Sequence, residues 1–315
     1  MRRLALILTC ILGVLLPASS AHAGGLALSP EAEHALAQTY SGDPDSAIAT
    51  ARHVESEQPE SPVGYLLESE AQWWKTYCAA CDIKWGEIDA WKRERGPQDE
   101  AYLALADKAI SLARDQIAKS DTADMHVYAG LGYGLKARLY SLREDRRATA
   151  HAGVSARSEF LRALQLDPDM ADATAGLGFY NYYVDTLSAV AKMLRFFMGI
   201  PGGNKQEGIR QMQVGIDRGA FFSVDARFYL AKNLRSYDQR YQDALATAEP
   251  LVTRYPHNAI FLLLVGNLNV ELGRKDKASQ YFHDVLAPAA PEADPDPKCT
   301  ARMRELAKSF LDTLR

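Results

Sequence analysis

The sequence predicts an all-α chain built as a solenoid of helix pairs, and three observations predict it. Ala156, Phe160, Ala163 and Pro168 recur 88 residues later as Ala244, Ala248, Leu251 and Pro256, and Ala278, Phe282 and Val285 follow 34 residues further on. A period near 34 with this small–aromatic–small–proline order marks stacked helix–turn–helix units. Almost every segment carries its apolar residues at helical spacing, and no stretch alternates apolar and polar long enough to indicate a sheet. The breaks are short and turn-like: Ser41-Gly42-Asp43-Pro44, Gln58-Pro59, Asp167-Pro168-Asp169 and Tyr255-Pro256-His257. A proline just past a helix end stops the helix and redirects the chain.

In chain order, Arg2 and Arg3 precede an apolar run from Leu4 to Leu16, and Ala21-His22-Ala23 follows before Gly24. A basic start, a short apolar stretch and an A-x-A site describe a secretory signal peptide at residues 1–23. The run falls short of the ~20 residues a membrane span needs. An acylated Cys10 is disfavoured by the Thr9 before it and the apolar sequence after it. Removing Arg2 and Arg3 takes the formal charge from −4 to −6. A mildly acidic chain lacks the basic stripe expected of a nucleic-acid binder. The expected product is an exported protein of the periplasm or outer-membrane periphery, or a secreted one.

Ala47, Ala51, Val54 and Pro59 close a degenerate first unit, and 155–168 closes a later one. Leu177-Gly178 lies in the opening helix of the next, and residues 225–258 and 259–292 fit the period best, with Gly266 in the first helix of the last. These residues resemble the tetratricopeptide-repeat (TPR) family, and the block from Tyr180 through Lys205 resembles exported bacterial members of undefined role. The resemblance implies a right-handed α-solenoid of five or six pairs over residues 24–286. A proline-rich linker at 287–299 and a capping helix at 300–315 would follow. It also implies a concave groove lined by the first helices. Carried onto this chain, the groove positions include Phe179, Tyr182, Tyr229, Asn233 and Asn267. Asn233 and Asn267 stand one repeat apart, so their amides could bond the backbone of an extended peptide while the aromatic rings supply apolar contact. The competing reading buries both asparagines between helices.

Two segments depart from the repeat. The first, between Tyr77 and Gly96, contains Cys78-Ala79-Ala80-Cys81. Asp82 in place of histidine excludes haem attachment, and no strand precedes the pair as a thioredoxin-like site requires. In an oxidising compartment the pair is read as a structural disulfide or as two buried thiols. A disulfide would require the helix to end there, since i,i+3 Cβ atoms on a helix stand about 5–6 Å apart. A redox or metal site is the third reading. The second departure spans 186–205, where Ser188, Lys192 and Arg195 form a polar stripe on an apolar helix ending in Leu194, Phe196, Phe197 and Met198. Either the solenoid covers that face or a partner, a fatty ligand or a membrane surface does.

No metal motif emerges from the scattered histidines. Gly130-Leu131-Gly132-Tyr133-Gly134 reads as close helix approach, and Pro201-Gly202-Gly203-Asn204-Lys205 as a helix stop, because Gln206 replaces the magnesium-holding Ser or Thr of a phosphate loop. The expectation is a non-enzymatic scaffold without cofactor that binds a protein or peptide in its groove. An envelope factor meeting lipid through 186–200, or a redox protein using Cys78 and Cys81, stand as alternatives.

Overall fold

The computed structural model describes residues 25–197, 199–287 and 296–314. The expected signal peptide, most of the linker, and Met198 lie outside them. Fourteen helices and one β-hairpin make up the described residues. The chain is predominantly helical, as composition and periodicity require.

α1 (Pro30–Ser41) begins at Ser29, whose side chain accepts the Ala32 N–H, and stops at Gly42, which takes the left-handed φ of 88°. Asp43 then caps α2 (Pro44–Glu57) through the Ser46 N–H. Both helices carry proline in the first turn, where its missing N–H costs nothing. α3 (Val63–Ala80) is buried over most of its surface and runs directly into β1 (Cys81–Lys84) and β2 (Glu87–Ala90). Then come α4 (Asp99–Ile117), α5 (Ala123–Leu142), α6 (Arg146–Leu166), α7 (Ala171–Thr186) and the short α8 (Ala189–Phe197). α9 (Lys205–Arg218), α10 (Ser223–Ser236), α11 (Tyr241–Arg254), α12 (Ala259–Glu271), α13 (Lys275–Leu286) and α14 (Pro297–Leu314) complete the order. The final helix thus starts three residues before the expected 300.

Each helix packs on the next, except that α7 meets α9 directly and passes over α8. A second set of contacts links α1, α3, α5, α7, α10, α12 and α14 in succession. The small residues that set the period let helices approach closely: Ala163, Ala244, Ala248 and Ala278 are fully buried. The aromatic of the period fills the space beside them. A Cβ on Gly130 would stand 2.5 Å from the Phe160 ring, and one on Gly176 2.2 Å from it. Phe282 lies the same way against Gly266. Close approach therefore explains Gly130, and Gly132 against Ile110, whereas a Cβ on Gly134 would meet open space.

The first third of the chain also folds against the last. α3 packs against α14, and the hairpin against α12 and α14. The Asn258 side-chain amide donates to the Tyr40 carbonyl at 2.9 Å, tying the end of α1 to the start of α12. A disulfide between Cys78 and Cys299, 221 residues apart, joins α3 to α14. Among the described residues the hairpin is the one departure from helix in a chain that is otherwise all-α as expected. Its pairs run from Cys81 with Ala90 to Lys84 with Glu87. Only four residues per strand are involved, too few for an alternating pattern to register.

Candidate functional site

The residues expected to line an open groove are brought together, but inside the protein. Tyr182, Asn233 and Asn267 have no solvent exposure and Tyr229 almost none. Phe179 is partly buried against Phe222 and Tyr229, with ring centroids 5.3 and 5.8 Å apart. Their assignment as a partner-binding groove is therefore corrected: α3 and the hairpin cover Tyr229 and Asn267, and α7 packs against α10 at Phe179, Tyr182 and Asn233. Trp73 of α3 donates its indole N–H to the Tyr229 hydroxyl at 2.9 Å. The Asn267 amide donates to the Gly86 carbonyl at 2.8 Å, and its oxygen accepts from Arg235 at 2.9 Å. Arg235, itself wholly buried, also donates to the Ile88 carbonyl at 2.8 Å. Asn233 accepts from the Tyr183 hydroxyl at 3.2 Å instead of facing outward beside Asn267.

Two ionic clusters sit in this filled interior. In the first, Arg138 of α5 donates to Glu70 of α3 at 2.9 and 3.1 Å and pairs with Asp225 of α10. The Trp74 indole donates to Glu70 at 2.9 Å. Glu70 and Asp225 have no exposed side-chain surface. Burial pushes the Glu70 carboxyl up to about 8; Arg138 opposes that shift and the Asp225 charge adds to it. The Tyr40 hydroxyl and Asp225 Oδ1 are buried with no hydrogen-bond partner among the described residues. In the second cluster, Lys232 of α10 bonds both oxygens of Asp89 on β2, at 2.9 and 3.1 Å, and the Tyr77 hydroxyl donates to Asp89 at 3.1 Å. Burial alone would raise the Asp89 carboxyl, but Lys232, the Ala90 N–H and Arg235 together hold it below its usual value. A buried charge persists only when paired in this way. Both clusters fasten α3 and the hairpin to the helices around them.

Asp172 of α7 accepts the backbone N–H groups of Leu26, Ala220, Phe221 and Phe222 at 2.8 to 3.2 Å. It ties the chain's N-terminal segment to the turn between α9 and α10.

The expected Cys78–Cys81 bond is corrected as well. Cys78 pairs with Cys299, and Cys81 is a free thiol, buried. Burial pushes that thiol up, with Asp89 and Asp82 raising it further and Lys232 and Arg302 opposing. Among the described residues no group of three His, Cys, Asp or Glu side chains could hold a metal ion. Trp85, at the hairpin turn, is 87% exposed.

The segment 186–200 stands apart. Asn204 caps the start of α9 through the Glu207 N–H, so Pro201–Lys205 leads into a helix rather than stopping one as expected; α8 has already ended at Phe197. On α8, Met193 is 55% and Phe196 76% exposed. The side chains of Leu194 and Phe197 and the whole of Met198 fall outside the described residues. Lys192 pairs with Asp185 at 2.9 Å, and Arg195 donates to the Ile200 carbonyl at 3.0 Å. Among the described residues no helix is long and apolar enough to cross a membrane.

Sequence reasoning missed Glu70, Arg138 and Arg235. A signal existed for Glu70, which shares a helical face with Leu66, Leu67, Trp73, Trp74 and Tyr77. A carboxylate on so apolar a stripe must find a partner. No protein-family model and no curated protein matches the chain.

Proposed function

We propose that this chain is an exported, non-enzymatic helical-repeat scaffold of the tetratricopeptide kind that meets a lipid surface through α8. The succession of alternate-helix contacts and the glycine–phenylalanine packing support the solenoid reading. One observation carries the lipid reading. Of the six large apolar side chains left exposed among the described residues, Leu187, Met193 and Phe196 lie within ten residues of one another. The solenoid spends its concave face on its own chain and leaves this one outward. Lys192 and Arg195 alternate with the apolar side chains, and that combination suits an amphipathic helix lying in the plane of anionic head groups. The remainder of the protein would then be a rigid body held at the envelope surface.

The test is co-sedimentation of the mature chain with anionic and with zwitterionic vesicles, alongside a Met193→Ala/Phe196→Ala variant. Burying a Met or Phe side chain contributes about 1.5–3 kcal/mol, so the double variant should lose at least tenfold in affinity for anionic vesicles. Absence of binding by the wild type, or equal binding by the variant, rejects the lipid reading. The peptide-groove reading retains one supporting observation: Asn267 and Arg235 already hold main-chain carbonyls, those of Gly86 and Ile88 in the hairpin. A peptide partner would have to displace residues 82–90, and binding would show as faster hydrogen exchange there.

A further inference from the structure

We infer that Cys81 is a resolving thiol that exchanges the Cys78–Cys299 bond for a Cys78–Cys81 bond and so unties α14 from α3. Past the expected signal peptide the chain has three cysteines, Cys78, Cys81 and Cys299. Two are bonded and the third lies one helical turn from the bond. An odd cysteine in an exported chain is a thiol available for exchange.

Three features of the site favour this step. The Cys81 N–H bonds the Cys78 carbonyl, closing a tight turn around the pair. At Cys81 the backbone leaves the helix for an extended conformation (φ −61°, ψ 135°). With a helical φ the Cys81 Cβ still stands at i,i+3 spacing from that of Cys78, so the bond requires the last turn of α3 to unwind, and the extended ψ leaves no further helical turn to oppose this. A cleft of about 420 Å³ lies against Cys81, lined also by Asp82, Trp91, Arg93 and Arg302. Arg302, three residues beyond Cys299 on α14, donates to the Cys81 carbonyl at 2.9 Å and to Asp82 at 3.0 Å. The helix that would be released is thus seated directly on the attacking residue.

The step is balanced without an outside reagent. The Cys81 thiolate attacks Cys78 Sγ, the Cys78–Cys81 bond forms and the Cys78–Cys299 bond breaks. The electron pair leaves on the Cys299 sulfur, which takes up a proton equivalent to the one Cys81 gave up. Only a thiolate attacks, and a buried thiol stays protonated, so exchange waits until the α14 end of the molecule loosens. Afterwards α14 is held without a covalent link, by the Arg302 bonds to Cys81 and Asp82 and by packing that includes the Phe282–Phe310 stack at 4.9 Å.

Trypsin cleavage at Lys75, Lys84, Lys298 and Arg302 separates the states, placing Cys78 and Cys81 on 76–84 and Cys299 on 299–302. The oxidised mature chain is held at mildly alkaline pH in urea below its unfolding transition, quenched in acid, alkylated and digested. The expected result is conversion of the cross-linked pair of peptides into an internally bonded 76–84 and an alkylated 299–302. A Cys81→Ala chain, treated alike, should keep the cross-link. In step with conversion, hydrogen exchange across 297–314 should rise. As a second arm, Cys299→Ser treated with oxidised glutathione should form the internal bond. Persistence of the cross-link with an alkylated Cys81, or transfer of Cys299 to Cys81, overturns the inference. So does a Cys299→Ser chain whose two thiols remain alkylatable or stop at mixed disulfides.

Discussion

The side-chain amide of Asn267 donates to the main-chain carbonyl of Gly86, 181 residues earlier, at 2.8 Å. One residue type expected to grip a partner's backbone grips the chain's own. Arg235 completes the clamp by bonding Asn267 and the Ile88 carbonyl together. Asn267→Ala should therefore destabilise the fold by about 1–3 kcal/mol, because it removes the partner of the buried Arg235 Nη1 and of the Gly86 carbonyl. Arg235→Ala should cost at least as much, since it also empties a fully buried volume. Urea unfolding of both variants checks this; unchanged midpoints would mean that the hairpin is held loosely enough to leave.

Glu70 makes stability fall with pH. Its folded pKa is raised to about 8 from an ordinary value of 4.5. A group with a raised folded pKa contributes stability that is present in full below the unfolded value and lost as pH climbs through the folded one. Glu70→Gln, which retains an acceptor for Trp74 and Arg138, should flatten the decline in stability between pH 5 and about 8. Parallel pH profiles of unfolding for the two chains measure it, and the difference between them isolates Glu70 from Glu55, which burial also raises, to about 7. Identical slopes would place the ionised form of Glu70 in the native state at neutral pH.

Phe160 is wedged between Gly130 and Gly176. Alanine is the better helix former by about 1 kcal/mol, yet Gly176→Ala should destabilise by about 1–3 kcal/mol, because the ring has no room to give. Phe160→Leu in the Gly176→Ala background should recover part of the loss. Thermal unfolding of the single and double variants gives the coupling, and additive effects would deny the wedge.

Trp85 and Gly86 form the two-residue hairpin turn with φ of 52° and 80°. Positive φ at both positions suits Asn-Gly and strains a tryptophan. Trp85→Asn should therefore raise stability by up to ~1 kcal/mol, less what the edge contact with Trp91, centroids 5.4 Å apart, contributes. A fall in melting temperature would show that the ring contact outweighs the strain.

Much of the helical framework was legible because its signals are local. Ala156, Phe160, Gly266 and Phe282 announce close helix approach within one or two units, and that is where they are used. Asn233, Asn267 and Tyr229, expected to face a groove, are buried instead. What covers Tyr229 and Asn267 comes from α3 and the hairpin, some 140 to 180 residues away, and no local period encodes such a contact. The cysteines failed for the same reason: spacing favoured Cys81 for Cys78, while the three-dimensional arrangement brings Cys299. Exposure of Met193 and Phe196 could be suspected from the apolar width of 186–200, but the packing of α7 directly onto α9, which sets α8 aside from the succession, could not.

Hydrogen exchange of the mature chain with and without anionic vesicles tests the central claim most directly. The account predicts protection confined to amides of residues 188–200, with the hairpin and α3 unchanged. Protection elsewhere, or none at saturating lipid, would contradict it.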